Sequence, residues 1–282
     1  MTSSGGGRPT AAGPDPLPLP VVDNHLHLDH AREGEDLPDI AATLAAAARV
    51  NVTRVVQIGC DLPGARMTVA AVEAHPTMVG GVALHPNEVP RLAERGELDA
   101  AYAEIASLAE HPRVRTIGET GLDYYRTDES GRPVQQDGFR WHLALARRVG
   151  KPVQVHDREA HADVLRILAE EPAPPAVVLH CFSGDVEMAR EAVARGYYLS
   201  FAGPVTFKNA RGLRDALAVT PLEQLLVETD APYLAPSPHR GATNTPALVP
   251  YTVRVMADVL AVDVPTLCRA LDANAERLYG PW

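Results

Sequence analysis

The stretch Val21-Val22-Asp23-Asn24-His25-Leu26-His27-Leu28-Asp29 closes a short apolar run with two imidazoles two residues apart. On a strand, residues i and i+2 share a face, so both rings point one way while the alternating leucines bury on the other. Two neutral nitrogen donors aimed at a common point make a metal-ligand spacing. Histidine pairs also arise by chance, so the reading depends on what else converges there.

Outward from this stretch, short β-branched runs alternate with longer Ala/Leu/Glu/Arg-rich runs to the C-terminus, the pattern of βα units on a parallel sheet. Strands are expected at Val21 to Leu28, Arg54 to Cys60, Met78 to Leu84, Arg115 to Gly118, Val153 to His156, Ala176 to Cys181, Tyr197 to Ala202 and Leu225 to Thr229. Helices are expected near Leu37 to Val50, Pro63 to His75, Leu98 to Glu110, Gln136 to Val149, Ala160 to Glu170, Val186 to Arg195 and Arg211 to Val219, with two more after the last strand. Eight such repeats fit an α/β fold of one closed (β/α)8 TIM barrel better than an open doubly wound sheet. No G-x-G-x-x-G follows the first strand, which argues against a dinucleotide fold. Residues 21–282 carry no Gly/Ser-rich linker and read as one domain, with loops at Pro172 to Pro175 and Pro236 to Pro250. Residues 1–20, rich in Gly, Pro, Ser and Ala, read as a disordered tail without the basic start and apolar run of a secretory signal.

The formal net charge of −10 offers no global field for nucleic acid or an anionic membrane, so any polyanion must be gripped locally. Cys60, Cys181 and Cys268 are odd in number and form no C-x-x-C, as in a reduced, cytoplasmic protein without disulfides or a zinc finger. The most apolar helical stretch, Ile40 to Val50, is too short to span a bilayer. No membrane partner and no obligate protein partner are called for, and a monomer is expected.

Ionisable residues fall at the C-terminal ends of the expected strands: His25 and His27 on the first, His85 on the third, Glu119 on the fourth, His156 on the fifth, His180 on the sixth and Asp230 on the eighth. In a barrel these ends make one rim, where active sites lie. A lone strand-end histidine is ordinarily a satisfied hydrogen-bonding residue, but five of eleven histidines on one rim point to a metal site. His25, His27, Glu119, His156, His180 and Asp230 are too many ligands for one tetrahedral ion and suit two ions sharing a bridge, for which Glu119 is the candidate.

The chain resembles the TatD-type metal-dependent deoxyribonucleases, within the amidohydrolase-like barrels. The resemblance is carried by DNHLHLD at Asp23 to Asp29, ALHP at Ala83 to Pro86, GETGLDYY at Gly118 to Tyr125, PVQVHDR at Pro152 to Arg158, LHCFSG at Leu179 to Gly184, SFAGPVTFKNA at Ser200 to Ala210, ETDAPYL at Glu228 to Leu234 and NAERLYG at Asn274 to Gly280. It implies two divalent metal ions (Mg2+, Mn2+ or Zn2+), one held by His25, His27 and Asp230 and the other by His156 and His180, with Glu119 between them. It also implies hydrolysis of single-stranded DNA, or another phosphodiester, from the 3′ end; some members are assigned to deacylating mischarged tRNA.

As residue roles, Asp230 is the candidate general base and Glu119 its catalytic companion. Glu228 reads either as a group that binds a further metal or orients a ligand, or as a buried acid bonded to a neighbour. Arg158, Lys208, Arg240 and His85 are candidate substrate contacts, the cations for phosphate, and Tyr124 and Tyr125 stack a base or pack under a loop. The loop Pro238 to Pro246 resembles R-G-[KR]-x-N-x-P, but Ala242 stands where a basic residue is usual, one phosphate contact fewer. The rivals are a related amidase, lactonase or phosphotriesterase, against which Glu119 in place of a carboxylated lysine speaks, and a catalytically silent binding protein.

Overall fold

A computed structural model describes residues 13–282. Eight strands form one parallel sheet in chain order: β1 Val21–Leu26, β2 Val52–Gly59, β3 Met78–Val82, β4 Val114–Asp123, β5 Val153–Arg158, β6 Val177–Leu179, β7 Tyr198–Phe201 and β8 Leu225–Val227. Ten helices surround it: α1 Ile40–Ala48, α2 Leu62–Ala74, α3 Glu88–Glu94, α4 Leu98–Leu108, α5 Arg132–Val149, α6 His161–Glu170, α7 Val186–Ala194, α8 Arg211–Ala218, α9 Val249–Leu260 and α10 Val264–Tyr279. The (β/α)8 barrel expected from the alternation is therefore the architecture.

Local chemistry sets the element ends. Asp39, Asp61, Asp185 and Asp263 each accept a backbone N–H in the first turn of α1, α2, α7 and α10, satisfying a donor that the helix leaves unpaired. Gly150 stops α5 in the left-handed conformation, φ 65°. The barrel closes between β8 and β1 by a short seam: Leu26 bridges Ala231, and Asp23 accepts the Thr229 backbone N–H (2.9 Å) and hydroxyl (2.6 Å). Inside the barrel a buried polar layer crosses from strand to strand. Asn24 Nδ2 donates to Ser200 Oγ (3.1 Å), Gln154 Nε2 donates to Asn24 O (3.0 Å) and to Tyr279 Oη (2.9 Å), and Tyr279 of α10 donates to Asn24 Oδ1.

Four expectations need correction. The disordered tail was drawn through residue 20; its first twelve residues lie outside the described ones, but Leu17 is buried and pairs with Val50 and Asn51, because it caps apolar surface beside the start of β1. Strand β4 runs on to Asp123 rather than ending at Gly118. Gly121 makes this possible, since at φ 137° a Cβ there would lie 2.1 Å from His156 O. Helix α3 was not anticipated; Pro90 near its start is tolerated where the N–H has no helical partner. Finally, β1, β6 and β8 end earlier than expected, which leaves His27 and His180 immediately after their strands and Asp230 three residues beyond Val227.

His142 on α5 ties the helix layer to the rim. Its Nδ1–H donates to Gly138 O (2.7 Å) and its Nε2 accepts the Leu84 N–H (3.1 Å), which fixes the residue before His85. Burial pushes its pKa down to about 4. A depressed imidazole contributes stability that is complete above the unfolded value near 6.5 and is lost as pH falls toward 4. This group accounts for roughly 3 kcal/mol of that loss. Thermal melts between pH 7 and 4.5 should therefore fall more steeply for the native chain than for His142→Gln; equal slopes would remove His142 from the acid response.

Candidate metal centre

The carboxylate of Glu119, buried on β4, lies between two groups of imidazoles. Its Oε2 faces His25 Nε2 (3.7 Å) and His27 Nε2 (3.6 Å), both from the end of β1. Its Oε1 faces His156 Nδ1 (2.6 Å) on β5, His180 Nε2 (2.8 Å) after β6 and His85 Nε2 (3.6 Å) after β3. Asp230 completes the first group, with Oδ1 3.4 Å from His27 Nε2 and 3.9 Å from His25 Nε2. Asp230 holds φ 55° and its N–H donates to His25 O (3.0 Å), so the seam that closes the barrel also aims this carboxylate.

The ring tautomers follow from fixed partners. Gln154 donates through Nε2 to the carbonyl of Asn24, so its Oε1 must be the atom 2.5 Å from His25 Nδ1, and that ring nitrogen carries the proton. His27 Nδ1 donates to Ile58 O (2.9 Å). Both Nε2 atoms are then lone-pair donors, yet they face each other at 3.1 Å. Two neutral rings so placed would have no proton to share, and although burial opposes its charge, Cys60 and Asp230 raise the His27 pKa well above the usual value; donors about 2.0–2.1 Å from one tetrahedral cation lie roughly 3.3 Å apart. His180 repeats the arrangement: Glu228 Oε1 accepts from its Nδ1 (3.1 Å) and from Cys181 N (2.9 Å), which turns its Nε2 toward Glu119. The donor set thus fits a divalent cation. Donor atoms of His25, His27 and Asp230, and of His25, Glu119 and His180, lie close enough together to hold one.

The electrostatics describe a cavity that requires positive charge. Burial alone would raise the Glu119 pKa, but His180, His85 and His156 outweigh it and hold the acid well below the usual carboxylate range. Burial likewise opposes ionisation of Asp230, and His27 reverses the balance. His180 is buried, which opposes its charge, yet Glu119 and Glu228 raise its pKa well above the usual value. His85 differs: burial pushes its pKa down to about 3, and its Nδ1 accepts the Asn87 N–H (3.1 Å), so it is a neutral ring presenting Nε2–H to the centre.

All six sequence-derived ligand candidates converge on this centre. Glu228 is fully buried and bonded to His180, a buried acid with a neighbour that also orients one of the ligand candidates. Of the substrate candidates, His85 lies at the centre, with Nε2 3.6 Å from Glu119 Oε1. Arg158 covers the exposed Tyr125 ring at 4.0 Å, Arg240 covers Phe207 at 4.5 Å, and Lys208 is exposed. Among the described residues none of the three pairs with a carboxylate. Tyr124 packs as a structural residue, its hydroxyl on Asp163 (2.7 Å). Three site residues escaped the sequence reading. Gln154 sets the His25 tautomer, Asp123 lies 3.4 Å from His156 Nε2, and Cys60 donates to Glu119 Oε2 (3.3 Å). Cys60 ends the second expected strand, so the strand-end rule that found the histidines also pointed to it.

The family described as TatD related DNase matches residues 22–280. The Mycobacterium tuberculosis protein described as the uncharacterized metal-dependent hydrolase TatD is 45% identical over 264 residues, covering 92% of this chain and 98% of its own. The Escherichia coli metal-dependent hydrolase YcfH is 40% identical over 260 residues, covering 92% and 95%. The crystal structure of YjjV, a TatD homolog from E. coli, superposes with a TM-score of 0.84 at 26% identity, covering 93% and 98%. The chain belongs to the TatD family of metal-dependent hydrolases.

Gln154→Leu removes the acceptor that fixes His25. It should weaken divalent-cation binding by about 10- to 100-fold in a chelator competition. Unchanged affinity would show that the His25 tautomer does not depend on Gln154.

Proposed function

Starting from membership of the TatD family and from the two-sided Glu119 carboxylate, we propose that this chain is a two-cation phosphodiesterase that removes nucleotides from the 3′ end of single-stranded DNA. Glu119 carries the reading, because one oxygen faces His25 and His27 and the other faces His156 and His180. His25, His27 and Asp230 would hold one divalent cation, Mg2+, Mn2+ or Zn2+, and His156 and His180 the second, with Glu119 shared. When bound, such ions polarise a phosphoryl oxygen and lower the pKa of a water.

The chain's own groups divide the remaining work. Asp230 is the general base by access: its side chain is 16% exposed, against 6% for Glu119 and 0% for Glu228. Ionised by its imidazole neighbours, it can take a proton from the attacking water. Glu119 is committed to the ring nitrogens on both sides, which suits a bridge rather than a proton carrier. The Nε2–H of neutral His85 can donate to a phosphoryl oxygen as charge builds there.

Around the mouth, Arg158, Lys208 and Arg240 supply cations without carboxylate partners, and Tyr125, 63% exposed, offers a face for a base. The loop that carries Ala242 has a guanidinium beside it: Arg32 Nη1 donates to Gly241 O at 2.8 Å. With a net charge of −10 over the whole chain, this local set of cations favours a short single-stranded end over a long duplex.

The test is metal-stripped protein given 3′- or 5′-labelled single-stranded DNA with Mg2+, Mn2+ or Zn2+. Shortening from the 3′ end is expected, with at least a 10³-fold lower rate in Asp230→Asn. No cleavage would discard DNA as the substrate and direct attention to aminoacyl-tRNA and small esters. For Arg158→Ala or Arg240→Ala, the logarithmic salt dependence of binding should flatten by about 0.7; an unaltered slope would remove that arginine from phosphate contact.

A further inference from the structure

Cys60 follows β2 and is 7% exposed. Its backbone is held in place: Cys60 O accepts the His85 N–H (2.8 Å) and Gly59 O accepts the Ala83 N–H (3.1 Å). Its sulfur lies 3.3 Å from Glu119 Oε2 and 3.7 Å from His27 Nδ1, the ring nitrogen that also faces Ile58 O (2.9 Å). Donor atoms of His27, Cys60 and Glu119 fall within 4.8 Å of one another. Independently, Glu119 Oε2, the oxygen that the sulfur faces, lies 3.6 Å from His27 Nε2 and 3.7 Å from His25 Nε2, on a carboxylate only 6% exposed. The thiol therefore borders the place where the imidazole geometry calls for a cation.

We infer that Cys60 is a further donor at the centre, its sulfur joining His27 and Glu119 around a thiophilic divalent cation. The inference rests on the proposed metal centre and specifies which ions it prefers. Without a cation the S–H donates to Glu119; beside one, a coordinating thiol gives up its proton and becomes a soft anionic ligand. Imidazole and carboxylate alone accept Mn2+ readily, whereas a thiolate shifts preference toward Zn2+, Co2+ and Cd2+. Cys181, the residue after His180, provides the control: its N–H bonds Glu228, and its sulfur has no place in this donor group.

The experiment loads the metal-stripped full-length protein with Co2+ and reads its absorption. A sulfur-to-cobalt charge-transfer band in the near ultraviolet is expected in the native chain and in Cys181→Ser, and should be lost in Cys60→Ser and Cys60→Ala. The preference for Zn2+ over Mn2+ should also fall by at least about tenfold in Cys60→Ala. Stoichiometric cobalt with ligand-field bands but no sulfur band in the native chain overturns the role of Cys60 and leaves the metal centre standing. A chain that binds no cobalt overturns both. Because absence of the sulfur band in the native chain, or its loss in Cys181→Ser, overturns the role of Cys60, the test survives even if a Cys60 variant fails to fold.

Discussion

A buried carboxylate shared among imidazoles is the constraint on which this structure turns. Glu119 has lost most of its contact with water, and an unpaired carboxylate in such a place costs several kcal/mol. The neighbours that compensate it are rings whose protons are already committed elsewhere: His25 to Gln154, His27 to Ile58 O and His180 to Glu228. What they turn toward Glu119 is lone pairs. Only added positive charge reconciles such an arrangement, either protons on the rings or cations between them. The upward shift at His180 is the protonic version of the same demand.

The barrel supplies the precision. Parallel strands bring residues distant in sequence to one rim, and the seam between β8 and β1 sets His25, His27 and Asp230 side by side through Asp23, Thr229 and the Leu26–Ala231 bridge. Beneath the rim, the layer of Asn24, Gln154, Ser200 and Tyr279 satisfies its own polar groups. It also transmits position upward, since the orientation of the Gln154 amide selects the His25 tautomer. Loss of any one member leaves a buried group unpaired, so the site and the fold are stabilised by the same bonds.

Much of this was legible in the sequence because two periodicities coincide. The alternation of β-branched and Ala/Leu-rich runs gave the eight strands, and the placing of His25, His27, His85, Glu119, His156, His180 and Asp230 at their ends gave the rim. Less legible were features decided by tertiary contact. Leu17 sits in a Pro- and Gly-rich stretch, and only the apolar surface it covers marks it as ordered. Gly118 and Gly121 resemble strand breakers, yet Gly121 lets β4 and β5 approach and carries the strand to Asp123. Gln154 and Glu228 act on rings far away in sequence, and no local pattern announces a tautomer. Cys60 was read for what it excluded, disulfides and zinc fingers, although its position at a strand end matched the histidines.

The central claim is that Glu119 stands between two cations, one on each oxygen. Anomalous diffraction from crystals of the Mn2+-loaded protein tests it directly. Two peaks about 3.5–4 Å apart, flanking the Glu119 carboxylate with His25, His27 and Asp230 on one side and His156 and His180 on the other, are predicted. A single peak, or two peaks that leave Glu119 unligated, would contradict the account.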